Sequence, residues 1–403
     1  MKFYRWSILL LTLVSCSTRQ ETKIEAAADS VVVMDSIAMI DTIRVEVPKV
    51  YQDSLLDNLG RFIAGLPQRD SNSFAAFERD NYWKEYRASM DTNWNKMYHD
   101  RLEKMQTWEA STFSTTLNDT LAVFYPFSGP DFLHAHYLYP HAKEYILAAL
   151  EPIIEIPPLD TLSITERDKF LDSLGHSLRD IFNKSYFITT HMKKDLKQIR
   201  GVLPALYFFM ERSGYELLDH HFISLDSAGQ EVAVKIGQLH WQKTPGVKIT
   251  FRNIQTQEIK TLYYFSISIS DQGLKERPEF VKFINARSPF NTFVKSASYL
   301  MHNSPFKMVK ELILTNTESL FQDDTGIPYR DFKSRLDVGW QLYGEYTKPV
   351  KDFGDEKFQP DLDSLYKSSK DKKDIPFSLG YHWGSKKQNY MLIKKSASID
   401  IRK

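Results

Sequence analysis

The sequence predicts an α/β protein with a mostly parallel sheet, and three observations support this fold class. Residues 121–152 contain an apolar run, a polar break, a short helical stretch and a second apolar run, which is the pattern of a strand–helix–strand unit. Helix-like and strand-like segments continue to alternate as far as residue 346. An apolar content of 42% with a single cysteine indicates a globular core without an internal disulfide. An α+β arrangement is the alternative.

The first 15 residues have the pattern of an export signal. Lys2 and Arg5 precede an apolar stretch over residues 8–14. This stretch is too short to cross a bilayer, because a spanning helix needs about 20 residues. Residues 13–16, with the sequence L-V-S-C, resemble the lipobox of bacterial lipoproteins, in which a diacylglyceryl group is attached to the cysteine and the residues before it are removed.

The lipobox resemblance implies a lipid-anchored mature protein. Cys16 is the only cysteine in the chain and is therefore the predicted lipidation site, carrying acyl chains such as palmitate. Each buried methylene contributes about 0.8 kcal/mol, so two or three chains would attach the protein to a membrane. Ser17 and Thr18 stand where aspartate is found in inner-membrane lipoproteins, so the resemblance implies the outer membrane, on either face. A plain secretory signal is the alternative.

Composition divides the mature chain into three parts. Residues 16–50 are small, charged and β-branched without aromatic side chains, which predicts a tether of low order. Residues 51–115 carry apolar side chains at spacings of three and four, including Trp83, Tyr86, Met90 and Trp94, and we expect a helical region packed on the main domain. Residues 116–403 form the predicted α/β main domain.

The predicted elements of the main domain begin with the strand–helix–strand unit. Helices at about 164–183 and 192–217 lead into an antiparallel meander at 222–253, with a turn at Pro245 and Gly246. The meander is therefore an insertion in the mostly parallel sheet. The remaining predicted elements are a strand at 260–270, a helix at 278–286, a strand or helix at 292–300, a helix at 306–315, a strand ending near 322 and a strand at 340–346.

This order of elements resembles the Rossmann-like domain of class I methyltransferases over residues 121–346. In that family a glycine-rich loop follows the first strand, and an acidic residue at the end of the second strand holds the ribose. Gly129 and Glu151 stand at these two positions and are the candidate cofactor-binding residues. Because the loop over residues 127–131 has one glycine, its backbone cannot approach a nucleotide closely. The predicted core is therefore a degenerate Rossmann-like one, and no cofactor is predicted.

Three strings of residues, FYPFSGPDFL, KSASYLMH and QDDTGIPY, are similar to strings in a family of uncharacterised bacterial lipoproteins. That resemblance implies no activity, but it suggests that residues 125–132, 295–302 and 322–329 belong together. Each string contains polar turn residues after a predicted strand. Because ligands of open α/β sheets bind outside the carboxyl ends of parallel strands, we hypothesise that the three strings form one pocket.

The serine, tyrosine and histidine side chains of these strings are candidates for catalysis. Ser128 follows an apolar strand and is a candidate nucleophile, with His134 or His302 as its base. The G-x-S-x-G motif of such serines does not occur there, so a helix N-cap is the favoured role for Ser128. Tyr299 and His302 are candidates for acid–base chemistry, with core packing as the alternative.

The acidic residues of the strings offer a second kind of chemistry. Asp323 and Asp324 are candidates for an acid–base pair or a cation site, but adjacent carboxylates before Thr-Gly more often form a hydrogen-bonded turn, which is the favoured role. Asp131 lies three residues before His134, a spacing at which two side chains on a helix meet. The candidate catalytic residues are therefore Ser128, Asp131, His134, Tyr299, His302 and Asp323.

The histidines do not predict a metal site. His134 and His136 are two residues apart and cannot face each other on a helix. Asp131 and His134 can face each other, but zinc requires three or four ligands. Neither an H-E-x-x-H motif nor paired cysteines occur that would add to them or to His141. No metal is therefore predicted.

The charge balance limits the choice of partners. The net charge is +1 and no long basic run occurs, which argues against a nucleic-acid partner. We expect a cell-envelope protein that contacts the membrane through its lipid anchor and binds a small-molecule or envelope-polymer ligand. The alternatives are an envelope hydrolase or transferase acting at the strand ends and a purely structural envelope protein. The sequence thus leaves open whether the protein is an enzyme.

Overall fold

A ten-stranded sheet lies at the centre of the molecule. The computed structural model describes residues 54–187, 201–335, 337–350, 353–384 and 387–395, and all of them belong to one compact unit. The predicted signal, the lipidation site Cys16 and the predicted tether at 16–50 lie outside the described residues.

The strands of this sheet are β1 (Val123–Pro126), β2 (Glu144–Ala149), β3 (Tyr215–Leu225), β4 (Glu231–Ala233), β5 (Gly246–Asn253), β6 (Ile259–Ser266), β7 (Phe290–Val294), β8 (Thr317–Gln322), β9 (Val338–Gly344) and β10 (Asn389–Lys395). They lie in the order β4-β3-β5-β6-β2-β1-β7-β8-β10-β9. The five strands from β6 to β8 run parallel to one another. The strands on either side of this block pair antiparallel.

The described helices are α1 (Ser54–Ile63), α2 (Asn81–Met97), α3 (Glu103–Thr112), α4 (Phe132–Leu138), α5 (Ile164–Lys184), α6 (Leu203–Arg212), α7 (Ile236–Leu239), α8 (Asp271–Glu276), α9 (Pro278–Asn285), α10 (Lys307–Asn316) and α11 (Pro360–Ser368). A π turn at Tyr98–Leu102 joins α2 to α3. α5 begins with a capping box, in which Ser163 and Glu166 bond each other's backbone. Within the described ranges, no helix combines the length and the apolar character needed to cross a membrane.

The central strands are buried on both faces, as parallel strands covered by helices are. Alternate residues of β1 enter opposite cores, because successive side chains of a strand point to opposite faces. Tyr125 packs with α1–α6 on one face, and Phe124 packs with α8–α11 on the other. On β2, Leu147 packs in the same layer as Tyr125, and Ile146 packs in the same layer as Phe124. The core therefore has two layers, one on each side of the sheet.

The helical periodicity of the amino-terminal part is matched by α1, α2 and α3. The stripe of Trp83, Tyr86, Met90 and Trp94 on α2 is buried, as the spacing predicts. The side chains of this stripe belong to the same core layer as Tyr125 of β1. The amino-terminal helices and the sheet thus share one hydrophobic core.

The prediction of an α/β protein is confirmed, but the sheet is mixed and not mostly parallel. Four neighbouring strand pairs are parallel and five are antiparallel. The meander predicted at 222–253 is present as β3, β4 and β5. The sequence predictions include no strand beyond residue 346, so they miss β10, which pairs antiparallel with both β8 and β9.

The helix predicted at 192–217 extends too far at its carboxyl end. α6 ends at Arg212, and β3 already begins at Tyr215. Gly214 lies between them with a φ of 82°, the left-handed conformation in which glycine often ends a helix. Residues 188–200 lie outside the described part of the chain.

Candidate functional site at the carboxyl ends of the parallel strands

The loops that follow β1, β7 and β8 meet at one edge of the sheet, because these strands are parallel neighbours. Lys295 Nζ lies 2.7 Å from Asp131 Oδ2, which joins the loop after β7 to the loop after β1. Tyr299 OH donates to Asp324 Oδ2 at 2.7 Å, which joins the loops after β7 and β8. The structure therefore brings the three predicted strings together. We call the region the strand-end site, and it comprises residues 127–134, 295–302, 323–326, 380–382 and 389–390.

Asp131 is the most heavily bonded carboxylate of the strand-end site. Its Oδ2 accepts from Lys295 Nζ and, at 3.0 Å, from Tyr125 OH. Its Oδ1 accepts from the backbone N of His134 at 3.2 Å and bonds His134 Nδ1 at 2.8 Å. Burial opposes ionisation, but the interactions of the carboxylate with His134 and Lys295 outweigh it and hold the pKa of Asp131 far below its ordinary value. Asp131 is therefore ionised at any physiological pH.

His134 lies in the first turn of α4 and is wholly buried. Burial lowers its pKa to about 4, so the ring is neutral at pH 7. Because the ionised Asp131 accepts hydrogen bonds, the proton is assigned to Nδ1 and the lone pair to Nε2. Nε2 is buried without a hydrogen-bond partner. His134 is thus oriented like a general base that has no proton donor in front of it.

Asp323 and Asp324 form the turn after β8. Asp323 Oδ2 accepts from Ser296 N at 2.9 Å, and its Oδ1 accepts from the backbone N of Thr325 at 3.0 Å and from the Thr325 hydroxyl. Burial, followed by the charge of Asp324, raises the pKa of Asp323 to about 6. The hydrogen-bonded turn expected from the sequence is present, and both carboxylates face into the strand-end site.

Asp324 keeps one oxygen free. Its Oδ2 accepts from Tyr299 OH, whereas its Oδ1 is buried without a hydrogen-bond partner. The nearest basic group, His382 Nε2, lies 3.7 Å from Oδ1, which is too long for a hydrogen bond. Burial lowers the pKa of His382, but the attraction of Asp324 outweighs this and raises it above the ordinary value.

Left-handed backbone conformations are concentrated at this edge of the sheet. Six described residues other than glycine have a positive φ, and only Gln257 lies elsewhere, in the turn between β5 and β6. Ser185 contacts the site because its carbonyl accepts from Lys295 Nζ at 2.6 Å. Each such conformation costs about 1–3 kcal/mol and is typical of functional sites. The residues are Phe127 (60°), Ser185 (68°), Ser296 (51°), Ser298 (50°) and Tyr299 (52°).

Buried polar atoms without a partner are concentrated in the same place. The described residues contain twelve such side-chain atoms, and six belong to the strand-end site. An unsatisfied buried polar group costs about 1–3 kcal/mol, so a protein retains one only for a reason. The six atoms are His134 Nε2, Ser296 Oγ, Asp324 Oδ1, His382 Nε2, Asn389 Nδ2 and Tyr390 OH.

The favoured structural role for Ser128 is wrong. Asp131, and not Ser128, is the N-cap of α4, because its carboxylate accepts from the backbone N of His134. Ser128 Oγ donates instead to Gly129 O at 2.9 Å. The helix begins three residues later than an N-cap at Ser128 requires, since Gly129 turns the chain with a φ of 56°.

The remaining candidate for acid–base chemistry, His302, bonds to the turn after β8. His302 Nε2 bonds Asp324 O at 3.1 Å, and its ring packs edge-on against Tyr299 with ring centroids 5.1 Å apart. Burial lowers the pKa of His302 to about 4.

Glu151 follows β2, where its Oε2 accepts from Tyr264 OH at 3.4 Å. The candidate cofactor residues Gly129 and Glu151 thus follow neighbouring parallel strands, β1 and β2.

Sequence reasoning missed the part of the site that comes from the carboxyl-terminal segment. Tyr381 OH donates to Ser296 O at 2.9 Å, and Asp324 N donates to Asn389 Oδ1 at 2.9 Å. His382 and Tyr390 complete this side. No local motif marks these residues, and only the pairing of β10 with β8 brings them to the site.

The three histidines considered as metal ligands lie apart. His136 stacks on Phe132 with ring centroids 5.4 Å apart. His141 instead approaches Glu109 and Asp119, and ligand atoms of these three residues lie within 4.8 Å of one another. In the described ranges this is the one group of three or more such side chains with the spacing to hold a metal ion. Asp119 precedes β1 and His141 precedes β2, so the group lies at the opposite edge of the sheet from the strand-end site.

Two cavities differ greatly in size. The cavity at the strand-end site, lined in part by Asp323, Asp324, Asn389 and Tyr390, has a volume of about 10 Å³, which suits one water-sized group. A groove of about 440 Å³ lies between α2 and α5, away from the predicted strings. The strand-end site is therefore closed in this structure.

Comparisons of the chain with protein-family models, with curated proteins and with solved structures gave no match.

Proposed function

We propose that the protein is a lipid-anchored component of the cell envelope whose α/β domain binds a small polar ligand at the strand-end site. One observation carries the proposal: half of the unpartnered buried polar atoms of the described chain lie at this one edge of the sheet. Unpaired polar atoms in a protein interior cost stability, and a ligand that bonds to them removes that cost. Left-handed backbone in the same loops adds to the support.

The strand order supports a Rossmann-like core. The five parallel strands follow one another in the chain as β1, β2, β6, β7 and β8. If they are renumbered 1 to 5 in that order, their order across the sheet is 3-2-1-4-5, which is that of the Rossmann-type sheet. In such sheets ligands bind where the strand order reverses, which here is between β1 and β7. Asp131 and Lys295 follow these two strands and pair across the reversal point. Side chains thus occupy the place where a glycine-rich loop would hold a nucleotide, so we propose a degenerate core without a nucleotide cofactor.

The lipid anchor has its own test. We expect the full chain to fractionate with membranes and the Cys16→Ser variant to appear in the soluble fraction, because lipid is the anchor we propose. Ser17→Ala, next to the modified residue, is the matched control and should stay with membranes. Membrane retention of Cys16→Ser would contradict the anchor without touching the ligand proposal.

Ligand binding is tested by a thermal melting screen of the full chain in detergent against nucleotides, sugars, peptidoglycan fragments and divalent metals. A ligand that binds the folded state raises the melting temperature with its concentration. The rise should be lost in Asp131→Asn and Asp323→Asn, and it should persist in Asp361→Asn, whose exposed side chain pairs with Lys333. No stabilisation by any compound, or stabilisation that survives both site variants, would refute the proposal.

One observation favours an envelope hydrolase or transferase as the second candidate function. His134 is neutral, fixed by Asp131 and free at Nε2, which is the arrangement of the acid and base in a catalytic triad. Ser128 Oγ bonds Gly129 O instead, so a substrate hydroxyl or a water would have to be the nucleophile. His134→Gln should abolish turnover of such a substrate while ligand stabilisation remains; equal turnover in the variant would exclude this role.

A further inference from the structure

The charges of the strand-end site are unevenly balanced. Asp131 is neutralised by Lys295 at 2.7 Å. In the described residues no lysine or arginine nitrogen lies within 4.0 Å of the carboxylates of Asp323 and Asp324, and the one basic side chain within that distance is His382, at 3.7 Å from Asp324. The turn after β8 therefore holds two adjacent carboxylates that the rest of the site leaves short of positive charge.

Uncharged polar side chains surround these carboxylates without bonding partners. Gly380 presents its bare Cα to them, with a φ of 75°. A Cβ at that position would lie 2.9 Å from Asp323 Oδ2 and 3.2 Å from the hydroxyl oxygens of both Ser296 and Tyr390. Tyr390 is 1% exposed, and its hydroxyl has no partner. The Tyr390 hydroxyl is therefore buried, lacks a hydrogen-bond partner and lies near the turn of Asp323 and Asp324. This observation does not depend on the two carboxylates.

Asn389 adds a donor to this set of acceptors. Its Oδ1 accepts from Asp324 N, which fixes the amide orientation and leaves Nδ2 as a buried donor without a partner. The free groups are therefore an anionic acceptor at Asp324 Oδ1 with His382 Nε2 3.7 Å from it, hydroxyls that donate or accept at Ser296 and Tyr390, and an amide donor. A bare cation would leave Asn389 Nδ2 unpaired, since it offers no acceptor.

Aromatic rings form a wall beside Asp324 on the side of Tyr299, outside the lining of the cavity of about 10 Å³. Tyr299 and Phe353 have ring centroids 5.2 Å apart, Phe353 and Tyr381 4.9 Å, and Tyr381 and Tyr186 4.8 Å. Such rings attract cations to their faces. Tyr381 and His382 are partly exposed, so the wall also marks where the site approaches the surface.

We propose that the acidic turn at Asp323 and Asp324 binds a protonated primary amine that carries a neighbouring hydroxyl group, as in an amino sugar or an ethanolamine headgroup. The ammonium group donates to Asp324 Oδ1. The cavity of about 10 Å³ that Asp324 and Asn389 line in part has room for one water-sized group, so binding of the whole ligand requires the closed site to open. The neighbouring hydroxyl accepts from Asn389 Nδ2. This inference rests on the proposed ligand site and names the chemistry of its ligand.

The test is a melting and calorimetric titration of the full chain in detergent at constant ionic strength. The probes are glucosamine and 2-aminoethanol, with glucose and ethylene glycol as hydroxyl compounds without an amine, methylammonium as an amine without a hydroxyl, and potassium as a bare cation. We expect stabilisation by the amino alcohols, a weaker effect of methylammonium, and none from glucose or ethylene glycol. A response to glucosamine alone identifies an amino sugar, and an equal response to 2-aminoethanol identifies a headgroup-type ligand.

Variants locate the binding. Asp324→Asn keeps the shape of the side chain and removes its charge, and it should weaken binding by about tenfold or more. Asp361→Asn is the exposed control and should bind normally. Tyr390→Phe removes only the unpartnered hydroxyl and should weaken binding less; it also keeps the inference testable if Asp324→Asn does not fold.

Three outcomes would overturn the inference. They are equal stabilisation by glucose, equal stabilisation by potassium, and full binding of amino alcohols by both Asp324→Asn and Tyr390→Phe. If another class of compound stabilises the chain through Asp131 while amino alcohols do not, the ligand site stands and its assigned chemistry fails. If no compound of any class stabilises the chain, both fail.

Discussion

The ion pair of Lys295 and Asp131 leads to a prediction at the scale of single residues. Both side chains are buried, with exposures of 2% and 1%. Removing one member of a buried pair leaves an uncompensated charge in the protein interior, which costs about 3–5 kcal/mol. We therefore predict that Lys295→Met lowers the free energy of unfolding by about this amount, measured by urea denaturation at an unchanged m value.

The control for Lys295→Met is a partly exposed lysine–carboxylate pair. Lys248 Nζ lies 2.9 Å from Glu231 Oε2, and both side chains are about 30% exposed. Solvent screens this pair, so Lys248→Met should cost less than about 1 kcal/mol. The double variant Asp131→Asn with Lys295→Met should recover part of the loss, because no buried charge is left unpaired. Similar losses for the two lysine variants would contradict this account of the site.

Local spacing predicted some residue contacts well and others poorly. The contact of Asp131 with His134 follows from their separation of three residues, because Asp131 is the N-cap of α4 and an N-cap side chain reaches the residue three positions later. The role of Ser128 depended on where the helix starts, and the left-handed Gly129 moved that start to Asp131. The sequence predicts a contact well when a short separation at a helix start sets it, and it predicts poorly when an irregular turn decides where the helix starts.

The turn at Gly380 leads to a prediction at the scale of structural elements. Gly380 and Gly214 both have a positive φ, so alanine at either position strains the backbone. At Gly214 an added Cβ meets nothing within 4 Å, whereas at Gly380 it meets Asp323 Oδ2 at 2.9 Å. Gly214→Ala should therefore cost about 1 kcal/mol for the backbone alone, and Gly380→Ala should cost more and weaken ligand binding.

Chemical denaturation and the ligand melting screen check this prediction together. Gly214→Ala should bind ligand like the unmodified protein, since Gly214 ends α6 away from the strand-end site. Equal losses of stability in the two variants, with unchanged binding in both, would show that Gly380 is a turn residue without a role in the site.

The sequence predicts an element correctly when the apolar pattern of that segment alone is enough to specify it. The apolar runs of β1 and β2 and the alternation of β6 are visible in a few consecutive residues, and these strands are present. β10 contributes Asn389 and Tyr390 to the site, but its position depends on pairing with β8, about 70 residues earlier in the chain. A sequence pattern records what a segment can form, and it does not record which distant strand that segment will pair with.

At the scale of the whole molecule, the helices of the two core layers come from different parts of the chain. α1–α6 cover one face of the sheet, and α8–α11 cover the other. The parallel strands between them belong to both layers, and their carboxyl ends carry the strand-end site. The site is therefore supported from both faces by packed helices, which is how a buried polar cluster keeps a fixed geometry.

The contact between the amino-terminal helices and the sheet contains a buried acid that governs how stability depends on pH. Glu211 of α6 has a fully buried carboxylate without a hydrogen-bond partner. Arg61 of α1 and Arg69 approach it only to 3.7 and 4.0 Å. Burial, followed by the charge of Asp57, raises the pKa of Glu211 well above its ordinary value of 4.5. The folded protein thus holds a proton here that the unfolded chain releases near pH 4.5.

A group whose pKa is raised on folding stabilises the protein fully below its unfolded pKa, and that stability is lost as the pH rises through the folded pKa. We predict a loss of up to about 1.4 kcal/mol per pH unit above pH 5 from Glu211. Glu211→Gln mimics the protonated form and should remove this slope, so the variant becomes relatively more stable as pH rises. Glu216→Gln is the control: Glu216 pairs with Arg252 at 2.5 Å, and its variant should keep the slope. Urea denaturation at pH 5, 6, 7 and 8 measures the difference, and parallel pH profiles for the wild type and Glu211→Gln would show that Glu211 is ionised in the folded protein.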